Sequence, residues 1–386
     1  MNSRERVIAA LNHEEPDRPP IDLGSTQVTS IASRAYSLLR RELGLPDHPL
    51  EIVDQVQMLP RVREDLLVSL GADFRGIQPN PPSSWKLEIL DERDYLAFRD
   101  EWGSTLRMPK HGGFYFDWAE YPIKESTVEA LARYAWPDPD DPARYAGLRE
   151  RARHLYETTD RALIGTAPLG SDLLAMPQRI RGYAESMLDL AADEAFVDAF
   201  LERLTDIALR GWSHFLDAVG DYIHVAATFE DLGTQLGPLI SPAQYRRLVK
   251  PKQARIVDLI KSRSRAKVFL HSCGAIAEFI PDFVEIGIDA LNPVQITARG
   301  MDDTARLKRE YGRDLVFWGG ACAPTTLAFG TASDVRAEAS RRLADLAPGG
   351  GYVFAAVHNV QDDAPPANVA ALFSTAMGWA ANRPAS

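Results

Sequence analysis

The chain has 386 residues, of which 45% are hydrophobic, and a formal net charge of −11 at pH 7. This composition can bury one large core or two moderate ones, which excludes an intrinsically disordered chain. Acidic and basic residues are interspersed, so the net negative charge argues against binding to nucleic acid or to an anionic membrane. We therefore expect a small molecule or another protein as the partner.

The N-terminal segment is charged and amphipathic rather than typical of a signal peptide. No run of about 18 apolar residues, the length needed to cross a bilayer, occurs in the sequence. The chain has only two cysteines, Cys273 and Cys322, which is too few for a disulfide framework and fits a reducing compartment. We expect a cytoplasmic protein.

Short β-rich runs alternate with helical patterns over most of the chain, which is typical of parallel strands joined by crossover helices. The predicted strands are residues 20–23, 74–77, 162–166, 222–228, 267–271, 289–293, 315–319 and 352–357. Such a series predicts a (β/α)8 barrel with a helical N-terminal start, and a doubly wound open sheet is the alternative. No glycine-rich nucleotide-binding motif follows an early strand.

Residues 80–160 follow a less regular pattern, rich in proline, glycine and aromatic side chains. We interpret this segment as an insertion, or lid, over the barrel mouth of a single domain spanning residues 1–386. Aromatic residues of the lid either line a substrate cavity or pack within the lid itself. They are Trp102, Phe114, Tyr115, Phe116 and Trp118.

Two later helices have recognisable starting signals. Ser241 and Pro242 can cap and begin one helix, which Pro251 should kink or split. Thr331 and Asp334 have the spacing of a capping box before the other.

Polar residues fall at the carboxyl ends of the later predicted strands, where a barrel carries its reactive groups. They are Glu230, Asp231, His271, Cys273, Asn292, Cys322 and His358. Both cysteines of the chain belong to this set. We therefore expect these side chains to face one barrel mouth.

Histidine and cysteine two residues apart on an extended strand end point the same way, so His271 and Cys273 can bind one metal ion. Thiolate and imidazole suit Zn²⁺, whose catalytic sites have three protein ligands and one open position. Cys322 would supply the third ligand. The alternatives are buried cysteines acting as small apolar side chains, or a catalytic Cys–His pair without metal, for which no orienting third group is identifiable.

The other polar residues leave several roles open. His358 can contact a substrate or an oxyanion, or can simply bond to backbone. Glu230 and Asp231 can serve as a metal ligand, as a general acid, or as the cap of the following helix.

Several segments of the sequence resemble the uroporphyrinogen decarboxylase superfamily over nearly the whole chain. They read "RERVIAALNHEEPDRPPID", "EDLGTQLGPLISPAQYRRLVKP", "VFLHSCGAIAEFIPDFVEIGIDALNPVQ", "LKREYGRDLVFWGG" and "APGGGYVFAAVHNVQDDAPPANVAAL". The resemblance implies a (β/α)8 barrel. The homodimers of the superfamily imply a homodimer here.

The superfamily contains two chemistries, and the sequence resembles one branch more than the other. The decarboxylases clamp substrate carboxylates with an arginine-rich N-terminal segment, whereas Arg18 stands alone in this chain. The zinc-dependent corrinoid methyltransferases carry a His-x-Cys pair that matches His271 and Cys273. Their further cysteine is expected in a "PGC" segment before the last strand, where this sequence has Gly350, and we expect Cys322 to replace it.

The resemblance implies a methyltransferase, or demethylase, that moves a methyl group between a small methylated substrate and an acceptor. A methoxylated aromatic is one candidate for this substrate. The acceptor is a corrinoid (cobalamin), free or carried by a partner protein, or else a thiol or folate. Zinc would act as a Lewis acid.

Residue roles follow from this hypothesis. Glu230, Asp231 and His358 are the candidate catalytic residues. Asn292, Gln295 and Asn359 are the candidate substrate-binding residues. The alternatives are a cofactor-free decarboxylase of a carboxylated tetrapyrrole or aromatic, and a non-catalytic barrel that binds a corrinoid or tetrapyrrole.

Overall fold

The computed structural model describes residues 1–169 and 172–379. Within these ranges the strands are β1 (Ile52–Asp54), β2 (Leu59–Pro60), β3 (Phe74–Ile77), β4 (Leu90–Asp91), β5 (Tyr95–Arg99), β6 (Thr105–Pro109), β7 (Asp117–Glu120), β8 (Ala162–Thr166), β9 (Val225–Phe229), β10 (Lys267–His271), β11 (Ala290–Asn292), β12 (Val316–Trp318) and β13 (Tyr352–Val353). The α-helices are α1 (Ser3–Leu11), α2 (Ser33–Glu42), α3 (Glu64–Ser69), α4 (Val128–Arg133), α5 (Leu148–Thr158), α6 (Ala175–Ile180), α7 (Tyr183–Ala192), α8 (Glu194–Val219), α9 (Pro242–Gln244), α10 (Lys250–Arg263), α11 (Ile280–Glu285), α12 (Thr304–Tyr311), α13 (Pro324–Phe329), α14 (Ala332–Leu346) and α15 (Pro366–Met377). None of the helices in these ranges has the length and apolar character required to span a bilayer.

Seven of the described strands form one parallel sheet in the order β3, β8, β9, β10, β11, β12 and β13. These strands are almost fully buried, because their inward side chains fill the space that the curled sheet encloses and their outward side chains pack beneath the helices. The inward set includes Phe74, Phe269 and Trp318. Burial on both faces explains why these strands are short continuous apolar runs in the sequence.

Residues 20–22 close this curled sheet into a barrel. Ile21 forms a parallel bridge with Phe354, whose N–H donates to Pro20 O at 2.8 Å. On the other side, the N–H of Asp73 donates to Ile21 O at 2.8 Å. The segment therefore lies between β13 and β3 as the eighth strand, which confirms the predicted (β/α)8 barrel and excludes the open sheet.

A buried ion cluster holds this seam. Asp73 is 0% exposed and accepts hydrogen bonds from Arg6 at 2.8 Å, from Arg18 at 2.7 Å and from Ile21 N at 2.8 Å. A buried carboxylate is tolerated only when it is paired and hydrogen-bonded, which this arrangement achieves. Arg18 thus has a structural partner at the seam.

The insertion contains more regular structure than its sequence predicts. Strands β4 to β7 form an antiparallel sheet with a small core of Phe98, Leu106, Met108 and Phe116. Further along the chain, α5 packs against β8 and α8 as a barrel helix. The division into one domain with a lid over about residues 80–160 stays a prediction.

The predicted helix signals are present. Ser241 caps α9 in a capping box with Gln244, and Thr331 does the same for α14 with Asp334. A wide π-helical turn, Tyr245–Val249, separates α9 from α10, and Pro251 lies at the start of α10. The wide turn accommodates a proline, which has no N–H for the preceding turn.

His224 should make the stability of the fold depend on pH. Its Nδ1 accepts the N–H of Leu163 at 3.0 Å, and burial together with the charge of Arg4 lowers the pKa of His224 to about 4. The unfolded chain binds this proton near pH 6.5, so unfolding takes up a proton between about pH 6.5 and 4. The free energy of unfolding should therefore decrease by about 2–3 kcal/mol as the pH falls through this window.

Urea unfolding at pH 7 and at pH 4 measures this contribution. His224→Asn keeps an acceptor for Leu163 N but does not titrate, so the difference between the two pH values should shrink in this variant. His154→Asn, at an exposed position of α5, is the matched control and should behave like the wild type. An unchanged pH dependence in His224→Asn would contradict the prediction.

Candidate metal centre and active site

Three side chains at the carboxyl ends of β10 and β13 converge at the barrel mouth. His271 ends β10, Cys273 follows it, and His358 lies beyond β13. Their donor atoms all lie within 4.8 Å of one another. His271 Nε2 is 3.4 Å from Cys273 Sγ, and the centroids of the two imidazole rings are 5.5 Å apart.

Each histidine is oriented by the amide of an asparagine. His271 Nδ1 donates to Asn292 Oδ1 at 2.6 Å, and Asn292 Nδ2 donates to Trp318 O at 3.3 Å. His358 Nδ1 donates to Asn359 Oδ1 in the same way. Since an amide oxygen can only accept, both rings carry their proton on Nδ1 and leave the Nε2 lone pair for a metal.

The three predicted substrate-binding residues have partners that shape the site. Asn292 is 0% exposed and Asn359 is 3% exposed, and both orient histidines. Gln295 Oε1 accepts the N–H of Gly274 at 2.6 Å, next to Cys273. Their observed bonds hold the ligand-bearing turns, and direct contact with a substrate stays a prediction.

The structure does not bring Cys322, the predicted third ligand, into this group. Its Sγ lies 3.5 Å from Glu338 Oε2 on α14, within the core outside the barrel. Gly319 and Gly320 follow β12 with φ of 83° and 74°, and this left-handed turn redirects the chain before Cys322. The side chain that joins His271 and Cys273 as a candidate donor is therefore His358 instead of Cys322.

Gly350 also lies away from the site. It precedes β13, at the amino end of the strand, with φ of 77°. A Cβ there would lie 2.3 Å from Glu14 O. Gly350 thus lies at the opposite end of the strand from the candidate donor atoms, which include His358 at the carboxyl ends.

Glu230 is an anchor for the chain segment before α6. It is 0% exposed, and its two carboxylate oxygens accept the N–H groups of Leu173 at 2.9 Å and Leu174 at 2.8 Å. Burial, and then the neighbouring Asp172, raise the pKa of Glu230 well above its usual value. Both of its oxygens are engaged with backbone, so the observed role is structural.

Two other carboxyl groups face the cavity beside the donor atoms. Asp231 Oδ1 accepts Cys273 N at 2.8 Å and lies 3.8 Å from His271 Nε2. Asp172, which the sequence did not reveal, is 5% exposed and lies 3.1 Å from Arg179. An inspection of every loop that follows a predicted strand could have found Asp172, because it lies in the loop after β8.

The electrostatics of Asp172 differ from those of an ordinary surface aspartate. Its Oδ1 has no hydrogen-bond partner among the described residues. Burial raises its pKa, while the charge of Arg179 opposes this effect. A buried oxygen without a partner at a cavity wall is an expected contact for a bound molecule.

A cavity of about 510 Å³ opens above the donor atoms. The lid contributes aromatic walls, and the barrel contributes His271, His358, Asp172 and Asp231. The lid residues in the walls are Trp102, Tyr115, Phe116 and Trp118. Phe114 is 53% exposed and is not among the residues that line this cavity.

The donor set fits zinc. Two imidazole nitrogens and one thiolate, with space left beside them, match the ligand types of catalytic zinc sites. Burial, with Asp231 and Asp172 nearby, raises the pKa of the Cys273 thiol well above its usual value. A metal ion at this site would have to displace the thiol proton, so its binding would strengthen at higher pH.

The fold and the site define a (β/α)8-barrel protein with a candidate metal centre beneath an aromatic-walled cavity. The family model described as "Uroporphyrinogen decarboxylase (URO-D)" matches residues 94–379, and the chain belongs to this family. The structure is similar to that of a methyltransferase from Methanosarcina mazei, with a TM-score of 0.63 and 16% sequence identity over 98% of this chain and 99% of that chain. At this identity the likeness shows the shared fold. Curated protein sequences gave no match.

Proposed function

We propose that the protein is a zinc-dependent methyltransferase that moves a methyl group between a small methylated substrate and a corrinoid, free or bound to a partner protein. The observation that carries this proposal is the group formed by His271, Cys273 and His358 beneath the aromatic-walled cavity. The methyltransferase fold neighbour supports the same class of reaction. A methoxylated aromatic fits the apolar walls as the donor, and a thiol or folate is the alternative acceptor.

The protein's own residues would prepare the site for this reaction. Asn292 and Asn359 keep both imidazoles in the tautomer that offers Nε2. The lid aromatics would surround the methyl group and exclude water. When bound, zinc would supply Lewis-acid chemistry, either keeping a thiol deprotonated or polarising an ether oxygen.

Asp172 is the group we assign to proton transfer. When a methyl group leaves an ether, the remaining alkoxide needs a proton, and a buried carboxyl with a raised pKa can hold one at Oδ1. If the methyl group is instead transferred from the corrinoid to a thiol, the same oxygen would accept the proton that the thiol loses. Asp231, closer to the donor atoms, would hold the Cys273 turn in place.

Two alternatives are less well supported by the geometry. A decarboxylase of this superfamily would need an arginine clamp, and Arg18 is bound to Asp73 instead. A metal-free thiol nucleophile would use Cys273, His271 and Asn292 as a triad, but the raised pKa of the thiol opposes a reactive thiolate.

Asp172→Asn should lower the rate of methyl transfer from a methoxylated aromatic to cob(I)alamin by about 10²- to 10⁴-fold, the usual value of a general acid. The reaction is followed by the absorbance change from cob(I)alamin to methylcobalamin. Asp117→Asn removes the same charge from an exposed position at the cavity wall and serves as the matched control. Its rate should stay close to that of the wild type.

The other outcomes separate the competing functions. Full activity after removal of zinc by a chelator would contradict the proposal. Carbon dioxide release from a carboxylated aromatic, without added metal, would favour the decarboxylase. Tight corrinoid binding without methyl transfer to or from any donor tested would favour the non-catalytic barrel.

A further inference from the structure

The loop that carries His358 forms one side-chain hydrogen bond with the lid and one with the β1–β2 turn, which packs against the lid. The hydroxyl of Tyr115, just before β7, donates to Gln361 Oε1. Gln57, in the turn between β1 and β2, accepts a hydrogen bond from Asn359 Nδ2 at 2.7 Å. Both partners in the loop lie within three residues of a candidate metal ligand.

Inside the loop these contacts continue to the histidine. Gln361 Nε2 donates to Asn359 Oδ1, the same oxygen that accepts the Nδ1 proton of His358. Gln361 Nε2 also lies 3.0 Å from Asn359 O. A continuous series of hydrogen bonds therefore runs from the lid to the imidazole ring. We call its members the relay: Gln57, Tyr115, Asn359 and Gln361.

The β1–β2 turn that carries Gln57 is joined to the lid segment that carries Tyr115. Phe116 N donates to Val56 O at 2.9 Å, which ties the residues next to Tyr115 and Gln57 together. Val56 also packs against the small core of the lid. A displacement of the lid would consequently break both contacts with the loop.

The backbone of the loop is fixed independently of the lid. Val360 N donates to Ser30 O at 2.9 Å, and Ala32 N donates to Val360 O at 2.8 Å. These bonds tie the loop to residues 30–32, just before α2. The relay therefore determines the orientation of side chains rather than the path of the chain.

The chemistry of an amide explains why orientation matters here. A side-chain amide has an accepting oxygen on one side and two donating hydrogens on the other, and its two ends have nearly the same shape. Gln57 accepts from the Asn359 nitrogen and Gln361 donates to the Asn359 oxygen, so together they select one of the two amide orientations. Only this orientation presents oxygen to the Nδ1 proton of His358.

We propose that the relay positions His358, so that the metal is held tightly only when the lid is closed and bound metal in turn keeps the lid closed. This inference rests on the proposed metal site. Outer partners of metal-bound histidines typically change metal affinity by about 10- to 100-fold. The coupling must act in both directions, because linkage between two binding or closing equilibria is reciprocal.

The first test compares zinc affinity, measured by competition with a chelator, in the full-length wild type and in Gln57→Leu/Tyr115→Phe. We expect about 10-fold weaker zinc binding in the double variant, since both side-chain contacts with the loop are lost. Tyr121→Phe is the matched control: this lid hydroxyl donates to Trp118 O at 3.0 Å and does not touch the loop. Its zinc affinity should equal that of the wild type.

Substitutions of Asn359 test the amide argument itself. Asn359→Leu removes the acceptor and should weaken zinc binding by about 10- to 100-fold. Asn359→Asp keeps an oxygen that can accept hydrogen bonds from His358 and Gln361, so this variant should bind zinc with near wild-type affinity. Equal losses in Asn359→Asp and Asn359→Leu would overturn the role assigned to this side chain.

The reverse direction of the coupling has its own readout. Added zinc should slow hydrogen exchange of the β6 and β7 amides in the wild type and have a smaller effect in the double variant. If the double variant does not fold, Tyr115→Phe alone, which removes a single oxygen, should still weaken zinc binding by about fivefold.

The results distinguish this inference from the proposed function. A wild type that binds no zinc contradicts the proposed function. A wild type that binds zinc, together with relay variants that bind it equally tightly, overturns the inference alone. Equal weakening by Tyr121→Phe would also overturn it, because the loss would then come from the lid in general.

Discussion

His358→Ala should abolish zinc retention, whereas Cys322→Ser should leave it intact. Removing one of three donors should reduce affinity by more than the roughly 100-fold seen when outer partners of metal ligands are lost. His271→Ala and Cys273→Ala should have the same effect. Zinc content after gel filtration and competition with a chelator would measure both the stoichiometry and the affinity.

The Cys322→Ser variant tests whether this buried thiol binds the metal. The Cys322 thiol faces Glu338 on α14. Burial, and to a smaller extent the charge of Glu338, raise the pKa of this thiol well above its usual value. Cys322 should therefore remain a protonated, apolar side chain. Loss of zinc in Cys322→Ser, together with retention of zinc in His358→Ala, would identify Cys322 and not His358 as the third ligand. Retention in all four variants would reject the site.

Asp73→Ala should destabilise the fold by about 3–5 kcal/mol, the usual effect of removing one partner of a buried ion pair. The substitution would leave the guanidinium groups of Arg6 and Arg18 without their shared carboxylate and would remove the acceptor of Ile21 N. The segment at residues 20–22 would lose these contacts with the residue that precedes β3. Urea unfolding of the two proteins would give the difference in free energy of unfolding.

An exposed ion pair provides the comparison for Asp73→Ala. Glu51 and Arg61 also form a two-oxygen pair, but their side chains are 64% and 62% exposed. Glu51→Ala should therefore change the free energy of unfolding by less than about 1 kcal/mol. Similar effects in Glu51→Ala and Asp73→Ala would show that the seam does not depend on its buried charges.

The barrel strands could be predicted because each is buried on both faces and therefore forms a short apolar run between turn residues. Even residues 20–23, which make only a single bridge, were identified in this way. The lid strands were not, because their half-exposed residues include many charged and aromatic side chains. Strand β7, for example, has no buried residue.

The site could be predicted only where its geometry is local. His271 and Cys273 were identified because alternation along a strand fixes their relative direction. His358 and Cys322 both follow barrel strands, and sequence position alone could not show which one turns toward the mouth. Cys322 turns away from the mouth because the two glycines before it adopt a left-handed backbone conformation. This conformation depends on the close packing of Gly319 against Ala356 O.

The barrel seam joins two parts of the chain that are synthesised at very different times. Ile21 leaves the ribosome early, but its neighbour Phe354 appears only when most of the protein has been made. Until then the nascent sheet has two unpaired edges, which can associate with other chains. Aggregation during translation, rather than the strength of the finished barrel, should therefore limit the yield of protein, and chaperones that shield open sheets should raise it.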